Sequence, residues 1–517
     1  MARPTGLPHY AEWAALGSVG VAVFGVMLLL VDGAVTTPLL GAFGVGFSIR
    51  LDAVSITMFS LVSFIGWIVL RYARRYMDGE ERQGLFTAWL CLTLASVMMI
   101  VLAGNLLQLL GAWIATSLFL HRLLLFYPER PAAQRAVRKR IILARLSDGG
   151  LLVVAGLLIA TYGTGDIASI LAQIGDAPLP SMALAAAILL AVIAVLKTAQ
   201  FPTHGWLTEV METPTPVSAT LHAGVINAGG FLLIRFADLM VASPGSLAFL
   251  VMIGGFTAVF AGLVMLTQPA VKTSLAWSTI AQMGFMILQC GLALFSLALL
   301  HIVAHSLYKA HSFLAAGGAV ENVASIRRSG PIAVPGGRAV GQAFLVALLI
   351  YGAVSVVFSL IPGLVEKSPQ AIALGAILIF GVAYLLAQGF ADLAPGALTK
   401  KTAFYSVIAA VGYFSLQTLA DLMMAGTLPP VPNPGPLEWG LVVLAVISFA
   451  VVAVAQAMFP LWAYHPAATG LRVHLSNGLY ADAVFDRLIG GWTVARTLGG
   501  EANEVRQSST KTAPRTL

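Results

Sequence analysis

The chain has 517 residues, of which 59% are hydrophobic and only 10% are charged, and its mean hydropathy is +0.90. A soluble domain carries about a quarter charged residues, so this composition excludes an aqueous globular protein and predicts a single membrane domain. The formal net charge of +7 does not indicate nucleic-acid binding. The basic residues lie in short loops between apolar segments, as the positive-inside rule requires.

Apolar segments run through the first 465 residues and predict an all-α integral membrane protein with about 13–14 transmembrane helices. Residues 1–465 are predicted to form one polytopic domain, and residues 466–517 a tail that changes from amphipathic to disordered. The basic loop between residues 122 and 145 is expected on the cytoplasmic side. The expected spans are 11–31, 52–72, 84–103, 105–127, 142–162, 182–201, 216–236, 246–267, 273–296, 298–320, 340–362, 370–390, 402–424 and 437–463.

Two cysteines, Cys91 and Cys290, lie in separate apolar runs. They predict neither a disulfide framework nor a metal-ligand cluster. We therefore expect no cofactor, no metal site and no metal-dependent catalysis within this chain.

Lys197 is the first ionisable residue expected inside the bilayer, about fifteen residues into the apolar run from Met182 and five residues before Pro202. An ionisable group at mid-membrane costs several kcal/mol, and proline removes a backbone hydrogen bond. We therefore predict a helix broken around Lys197–Pro202, in which freed carbonyls and water solvate the ammonium. The alternative is a lysine that snorkels from the end of a shorter helix.

His301, His305 and Lys309 follow one another at intervals of four residues in the apolar run 297–319. Four residues advance an α-helix by about 6 Å and return to nearly the same face, so the three side chains form a ladder. Water bridges such gaps and imidazole titrates near neutral pH, which favours proton hopping. Metal binding is the alternative for the two histidines, but no carboxylate or cysteine completes that face.

Asp148 lies near the start of the apolar run 141–161, three residues after Arg145. A carboxylate at this depth needs a partner or a function. Two interpretations remain open: Asp148 belongs to an ion pathway, or it pairs with Arg145 at the membrane boundary.

The segment FPTHGWLTEVMETPTPVS, residues 201–218, concentrates polar groups and three prolines between two expected spans. It contains His204, Glu209 and Glu212. The two glutamates are three residues apart, close enough to share one face of a helix. They either form a proton entry or exit pair or are simply solvated.

The segment KTAQFPTHGWLTEVMETPTPVSATLHAG, residues 197–224, resembles a signature of the antiporter-like membrane subunits of respiratory complex I. VKTSLAWSTIAQMGFM, residues 271–286, and HIVAHSLYKA, residues 301–310, resemble two further motifs of that family. The resemblance is clear over residues 85–320. It implies an antiporter-like fold with a broken helix and a polar axis that conducts ions.

The resemblance also implies roles for single residues. Lys197 corresponds to the central lysine of the broken helix, Lys272 to the lysine that begins the next motif, and Asp148 to an aspartate in the family's NRIGDFG. His222 falls on a motif position. The predicted proton pathway comprises Lys197, Lys272, His301, His305, Lys309, Asp148, His204, Glu209, Glu212 and His222.

A glutamate that the family places after a tryptophan, where it pairs with the central lysine, is missing. Here Ile114 follows Trp113. Without that carboxylate Lys197 needs another partner, or it stays neutral more of the time. The candidate partners are Asp148, Glu212 and Asp392.

Two further departures concern the second half of the chain. The run AFLVALLIYGAVSVVFSLIPGL, residues 343–364, has no charge where the family has a second lysine, and the tail has no long lateral helix. These departures, with the basic segment 121–148, resemble the DabB family, the membrane subunits of bacterial inorganic-carbon accumulators.

Membership of that family implies a polytopic subunit of the bacterial inner membrane that conducts protons or Na+ and partners DabA, a soluble zinc-containing subunit similar to carbonic anhydrase. The ion flow would energise CO2 hydration by the partner, and this chain would be a transporter subunit, not an enzyme. Two alternatives remain: a proton-translocating subunit of a complex I-like NADH-quinone oxidoreductase, and an Mrp-type Na+/H+ antiporter subunit.

Overall fold

A computed structural model describes residues 6–42, 45–175, 177–318, 336–361, 367–389, 396–458, 462 and 465–488. The helices of the first half are α1 (Leu7–Asp32), α2 (Ala53–Tyr76), α3 (Gln83–Val101), α4 (Leu106–Leu124), α5 (Pro131–Tyr162), α6 (Ile167–Ala172), α7 (Ser181–Lys197), α8 (Gly205–Glu209), α9 (Thr215–Ala223), α10 (Ala228–Arg235) and α11 (Ala237–Val241). Those of the second half are α12 (Pro244–Met265), α13 (Val271–Gly291), α14 (Phe295–Leu314), α15 (Gly337–Ser359), α16 (Pro369–Gly389), α17 (Gly396–Met424), α18 (Pro436–Ala457), α19 (Thr469–Ser476) and α20 (Ala481–Leu488). Short 3-10 turns occupy Val210–Glu212, Val225–Asn227, Ala316–Gly318, Pro466–Ala468 and Gly478–Tyr480.

Within these residues, ten helical segments are long and apolar enough to cross a membrane, and α7 and the first part of α16 are shorter apolar helices. Each expected span overlaps a helix within the described residues, and the span expected at 216–236 is formed by α9, a 3-10 turn and α10. The prediction of an all-α integral membrane protein is confirmed, and the chain is a multi-pass membrane protein.

Two short antiparallel strand pairs lie between α1 and α2, one inside the other in sequence. Strand β1 (Val35–Thr36) pairs with β4 (Arg50–Leu51), and β2 (Leu40–Ala42) pairs with β3 (Val45–Phe47). Asp52 follows β4, and its carboxylate caps α2 by accepting from the backbone N–H of Ser55. It also accepts from Arg235 Nη1 at 2.6 Å, which ties the end of α10 to the start of α2. Although burial alone would raise the pKa of Asp52, Arg235 holds that pKa well below its usual range.

Helices α12 and α13 approach closely because small residues line their contact. A Cβ on Gly254 would lie 2.5 Å from the backbone nitrogen of Leu288, and a Cβ on Gly284 would lie 2.5 Å from the backbone nitrogen of Ala258. Small residues at such contacts are typical of membrane helix pairs. This pairing fixes α13, the neighbour of the helix that carries the histidine ladder.

The C-terminal helices fold back onto the bundle. Leu475 of α19 belongs to the largest hydrophobic core, and Phe485 of α20 packs against it. Gln268, just before α13, donates to the backbone oxygen of Ser476 at 3.3 Å. The boundary after residue 465 remains a prediction, and the expected disordered end, residues 501–517, lies outside the described residues.

Candidate ion pathway

The predicted break in the helix occurs directly after Lys197, where α7 ends. Ala199 adopts a left-handed φ of 51°, and the Phe201–Pro202 peptide bond is cis. A left-handed conformation costs a residue with a Cβ roughly 1–2 kcal/mol, so packing around the segment must hold it. The helix resumes as α8 at Gly205, and the backbone is therefore open beside the lysine.

The Lys197 ammonium is buried and contacts neutral groups directly, while the charged Arg140, Arg145 and Asp148 act on it electrostatically. Its Nζ donates to Ser117 Oγ at 2.9 Å and lies 4.4 Å from the centre of the Trp113 ring, both on α4. A cavity of about 20 Å³ borders Lys197, Arg140 and Leu221, which is room for one water molecule. A hydroxyl, an aromatic face and a water-sized space that Arg140 also borders thus adjoin the amine.

Among the acidic residues that the structure describes, Asp148 is the one that interacts electrostatically with Lys197. Its Oδ2 also lies 2.9 Å from Arg145 Nη2, so the pairing considered from the sequence is present as well. Ile114, at the position of the missing glutamate, packs against the hydrophobic core. Of the other candidate partners, the side chain of Glu212 and all of Asp392 lie outside the described residues.

The histidine ladder forms a row along α14. The ring centres of His301 and His305 are 6.0 Å apart, and the fully buried Lys309 donates from Nζ to the backbone oxygen of Leu275 at 3.3 Å. Neither ring nitrogen of His305 has a hydrogen-bond partner within the described part of the chain. An imidazole with both nitrogens unpaired is able to donate and accept protons through water.

His222 extends this row from the neighbouring helix α9. Its Nδ1 lies 3.0 Å from Thr279 Oγ1, and its ring stacks on Phe313 with 4.3 Å between centres. It interacts electrostatically with Lys309 and His305. The structure thus brings four of the predicted residues together: His222, His301, His305 and Lys309.

Lys272 lies apart from this row. It is the second residue of α13 and is only partly buried, one turn before the Leu275 carbonyl that accepts from Lys309. The role of Lys272 in the pathway remains a prediction.

A second charged cluster lies where the broken helix meets the C-terminal tail. Lys139 of α5 is fully buried, and its Nζ is 2.8 Å from Glu209, 2.7 Å from Asp482 and 2.9 Å from Asp486. The ligand oxygens of these carboxylates lie within 4.8 Å of one another, and the ammonium takes the place that a metal ion would occupy. His204 is buried next to this cluster, 5.1 Å from Trp277 between ring centres.

Replacing Lys139 with Met should loosen the C-terminal helices. The three carboxylates would lose their shared cation, at a cost of about 2 kcal/mol, the low end of the range because the carboxylates are partly exposed. Limited proteolysis should then cut the segment 465–488 faster by about an order of magnitude. The control is Arg135→Met, because Arg135 is exposed and lies one turn earlier on α5. Equal cleavage of the two variants would show that Lys139 does not hold the C-terminal helices.

Sequence reasoning missed Ser117, Lys139 and Asp482. Lys139 stood in a basic loop and looked like a topological anchor, and Ser117 is one of many hydroxyls in apolar helices. The one available signal was the acidic pair Asp482 and Asp486, spaced by four residues in a tail that faces the same side as the basic loop.

A bundle with a lysine at a broken helix and a buried row of histidines and a lysine defines the antiporter-like class of membrane subunit. The sequence model of that class, "NADH:quinone oxidoreductase/Mrp antiporter, TM", matches residues 103–361, about half of the chain. The model of the complex I chain 5 N-terminus matches residues 38–87. With 22% identity and a TM-score of 0.59, an Mrp complex chain from Dietzia shares the fold over 98% of this chain and 60% of its own length.

Curated relatives narrow the class. "Probable inorganic carbon transporter subunit DabB2" of Halothiobacillus neapolitanus is 36% identical over 92% of this chain and 87% of that protein. The DabB of Hydrogenovibrio crunogenus, with the same description, is 45% identical over 55% of each chain. "NADH-quinone oxidoreductase subunit L" of Escherichia coli is 35% identical over 54% of this chain and 46% of its own. The chain belongs to the DabB family of antiporter-like membrane subunits.

Proposed function

We propose that this chain conducts protons across the bacterial inner membrane as the membrane subunit of an energy-coupled inorganic carbon uptake complex. The observation that carries the proposal is the row of buried basic groups, because Lys309 and His305 are buried without an ion pair in the described part of the chain. A fixed charge there would cost several kcal/mol. Groups that gain and release a proton avoid holding that charge permanently.

The pathway has two supporting parts. Lys197 lies at the opening of the broken helix, beside a space for one water and within electrostatic range of Asp148. The cavity wall includes Leu221, which precedes His222 on α9. We infer that protons pass between Lys197 and Lys309 by way of His222.

The absent glutamate favours the carbon-uptake assignment over a subunit of a quinone-reducing enzyme. In the complex I family a glutamate pairs with the central lysine. Here Lys197 instead donates a hydrogen bond to the hydroxyl of Ser117. Asp148 is the residue we assign to stabilise its charged form. The DabB2 and DabB descriptions of the relatives agree with this assignment.

In such a complex the chemistry lies on another chain. We propose a DabA-like soluble subunit with a zinc site, on which CO2 is hydrated, while this chain supplies the driving force. Proton flow through the membrane subunit would make the hydration one-way and trap bicarbonate inside.

Co-purification separates the candidate functions. The tagged chain, extracted from its native membrane in mild detergent, should bring down one large soluble partner and about one zinc per complex, as measured by mass spectrometry and metal analysis. Recovery of a set of NADH dehydrogenase subunits, or of the small subunits of a multi-chain antiporter, would contradict the proposal.

A further inference from the structure

A large cavity with both polar and apolar wall residues lies in the second half of the bundle, away from Lys197 and from the Lys139 cluster. Its volume is about 790 Å³, which is room for on the order of twenty water molecules. The first turn of α14, the start of α16, the last turns of α17 and the loop after α17 form its wall.

This cavity lies at the membrane face opposite to the Lys139 cluster. The start of α13 is next to that cluster, because Trp277 packs against both His204 and Gly478 of the tail. Helix α13 has 21 residues and is therefore about 30 Å long, which is close to the thickness of the bilayer core. The cavity is bounded by Ala293 and Leu294, directly beyond its far end. If the basic loop is cytoplasmic, the cavity opens to the outside.

The cavity wall carries an opposite pair of charges. Lys367 Nζ donates to Gln417 Oε1 at 3.3 Å and lies 3.3 Å from the centre of the Phe414 ring. Burial lowers the pKa of the Lys367 ammonium to about 8, against the opposing pull of Asp421. The Asp421 carboxylate accepts a hydrogen bond from Ser296. A lysine and an aspartate are thus present in the second half of the chain, although the run 343–364 carries no charge.

The hydrogen bond to Ser296 places Asp421 at the start of the helix that carries the histidine row. Ser296 stands in the first turn of α14, five residues before His301, and five residues rise about 7.5 Å along a helix. His301 is in turn 6.0 Å from His305 between ring centres. Asp421, His301, His305 and Lys309 are therefore arranged in order from the cavity into the membrane.

We infer that this cavity is the outer port of the proton pathway and that Asp421 is the group that takes up protons there and passes them towards His301. The inference rests on the proposed function. It adds an entrance that neither the family motifs nor the predicted pathway residues contain.

Access to the port is measurable without any transport. In a chain with Cys91→Ala and Cys290→Ala, a cysteine at Thr418 lies on the cavity wall one turn deeper than Asp421, whereas a cysteine at the neighbouring Leu419 faces the lipid. A membrane-impermeant maleimide added to intact cells should label Thr418→Cys at least about tenfold faster than Leu419→Cys, because thiols react as thiolates in water. Labelling of Thr418→Cys only in inverted vesicles, or not at all, would overturn the port.

The role of Asp421 is tested by Asp421→Asn in the assembled complex. We expect inorganic carbon uptake to fall about tenfold or more, with labelling of Thr418→Cys unchanged and with Asp32→Asn, an exposed aspartate at the end of α1, fully active. Full uptake by Asp421→Asn would overturn the inference while leaving the proposed function intact. Full uptake by Lys197→Ala would instead defeat the proposed function.

Discussion

Replacing Lys197 with Ala is expected to abolish growth in air of a carbonic-anhydrase-deficient host that produces this chain together with the DabA-like subunit proposed above. The ammonium is the protonatable group at the opening of the broken helix, held by Ser117 and the Trp113 ring. Without it the cavity beside α7 has no group that exchanges a proton with Asp148 or with water. Inorganic carbon uptake should fall by about 100-fold, the low end of the range for removing a positioned acid–base group.

Two controls separate proton transfer from folding. Lys197→Arg keeps the positive charge and a hydrogen-bond donor but does not deprotonate, so it should assemble with the partner and still fail to support growth. Lys401→Ala removes an exposed lysine of α17 and should grow as the unaltered chain does. Normal growth of the arginine variant would show that charge alone, without proton release, suffices at this position.

Replacing His305 with Ala should have a comparably large effect. His305 is the middle of the row on α14, and the distance from His301 to Lys309 without it is about 12 Å along the helix, beyond the reach of one or two bridging waters. Both of its ring nitrogens are unpaired in the described structure, which is the arrangement that proton exchange requires. We expect uptake to fall about 100-fold with unchanged amounts of the complex in the membrane.

His311 provides the matched control on the same helix. It lies six residues further along α14 and is exposed. His311→Ala should retain uptake, and His305→Gln, which keeps hydrogen bonding but cannot be protonated, should not. Equal activity of His305→Ala and His311→Ala would remove the row from the pathway.

The sequence predicted the helices and the broken segment well because both depend on local signals. Long apolar runs determine where the chain crosses the membrane, and a lysine followed by a proline marks the break at Lys197–Pro202. The spacing of His301, His305 and Lys309 predicted a shared face from helix geometry alone. Their burial follows from the apolar residues around them.

Contacts between distant parts of the chain were not predictable in this way. Lys139 and Asp482 are separated by 343 positions, and Lys197 and Ser117 by 80. The positive-inside rule already explains the basic loop, and solvation already explains the pair Asp482 and Asp486 in the tail, so the sequence does not indicate that the loop and the tail meet. The outer cavity likewise depends on α14, α16 and α17 converging, which only the folded chain reveals.

The missing glutamate involves both a local sequence signal and a contact between distant residues. The sequence identified Ile114 as a departure and named Asp148 among three replacements. Packing then determined what surrounds the lysine, because Ser117, one turn along α4, reaches its amine. Whether Asp148 carries the charge of the missing residue remains a proposal that Asp148→Asn would test alongside Lys197→Ala.

The most direct measurement is proton-driven carbon accumulation by the purified complex in liposomes. An imposed proton gradient, positive and acidic on the outer side, should drive labelled CO2 into internal bicarbonate, and an internal pH dye should report proton entry at the same time. The account predicts that both signals are present with the unaltered chain and absent with Lys197→Ala. Carbon accumulation that persists in the Lys197→Ala complex, or that needs no gradient, would contradict it.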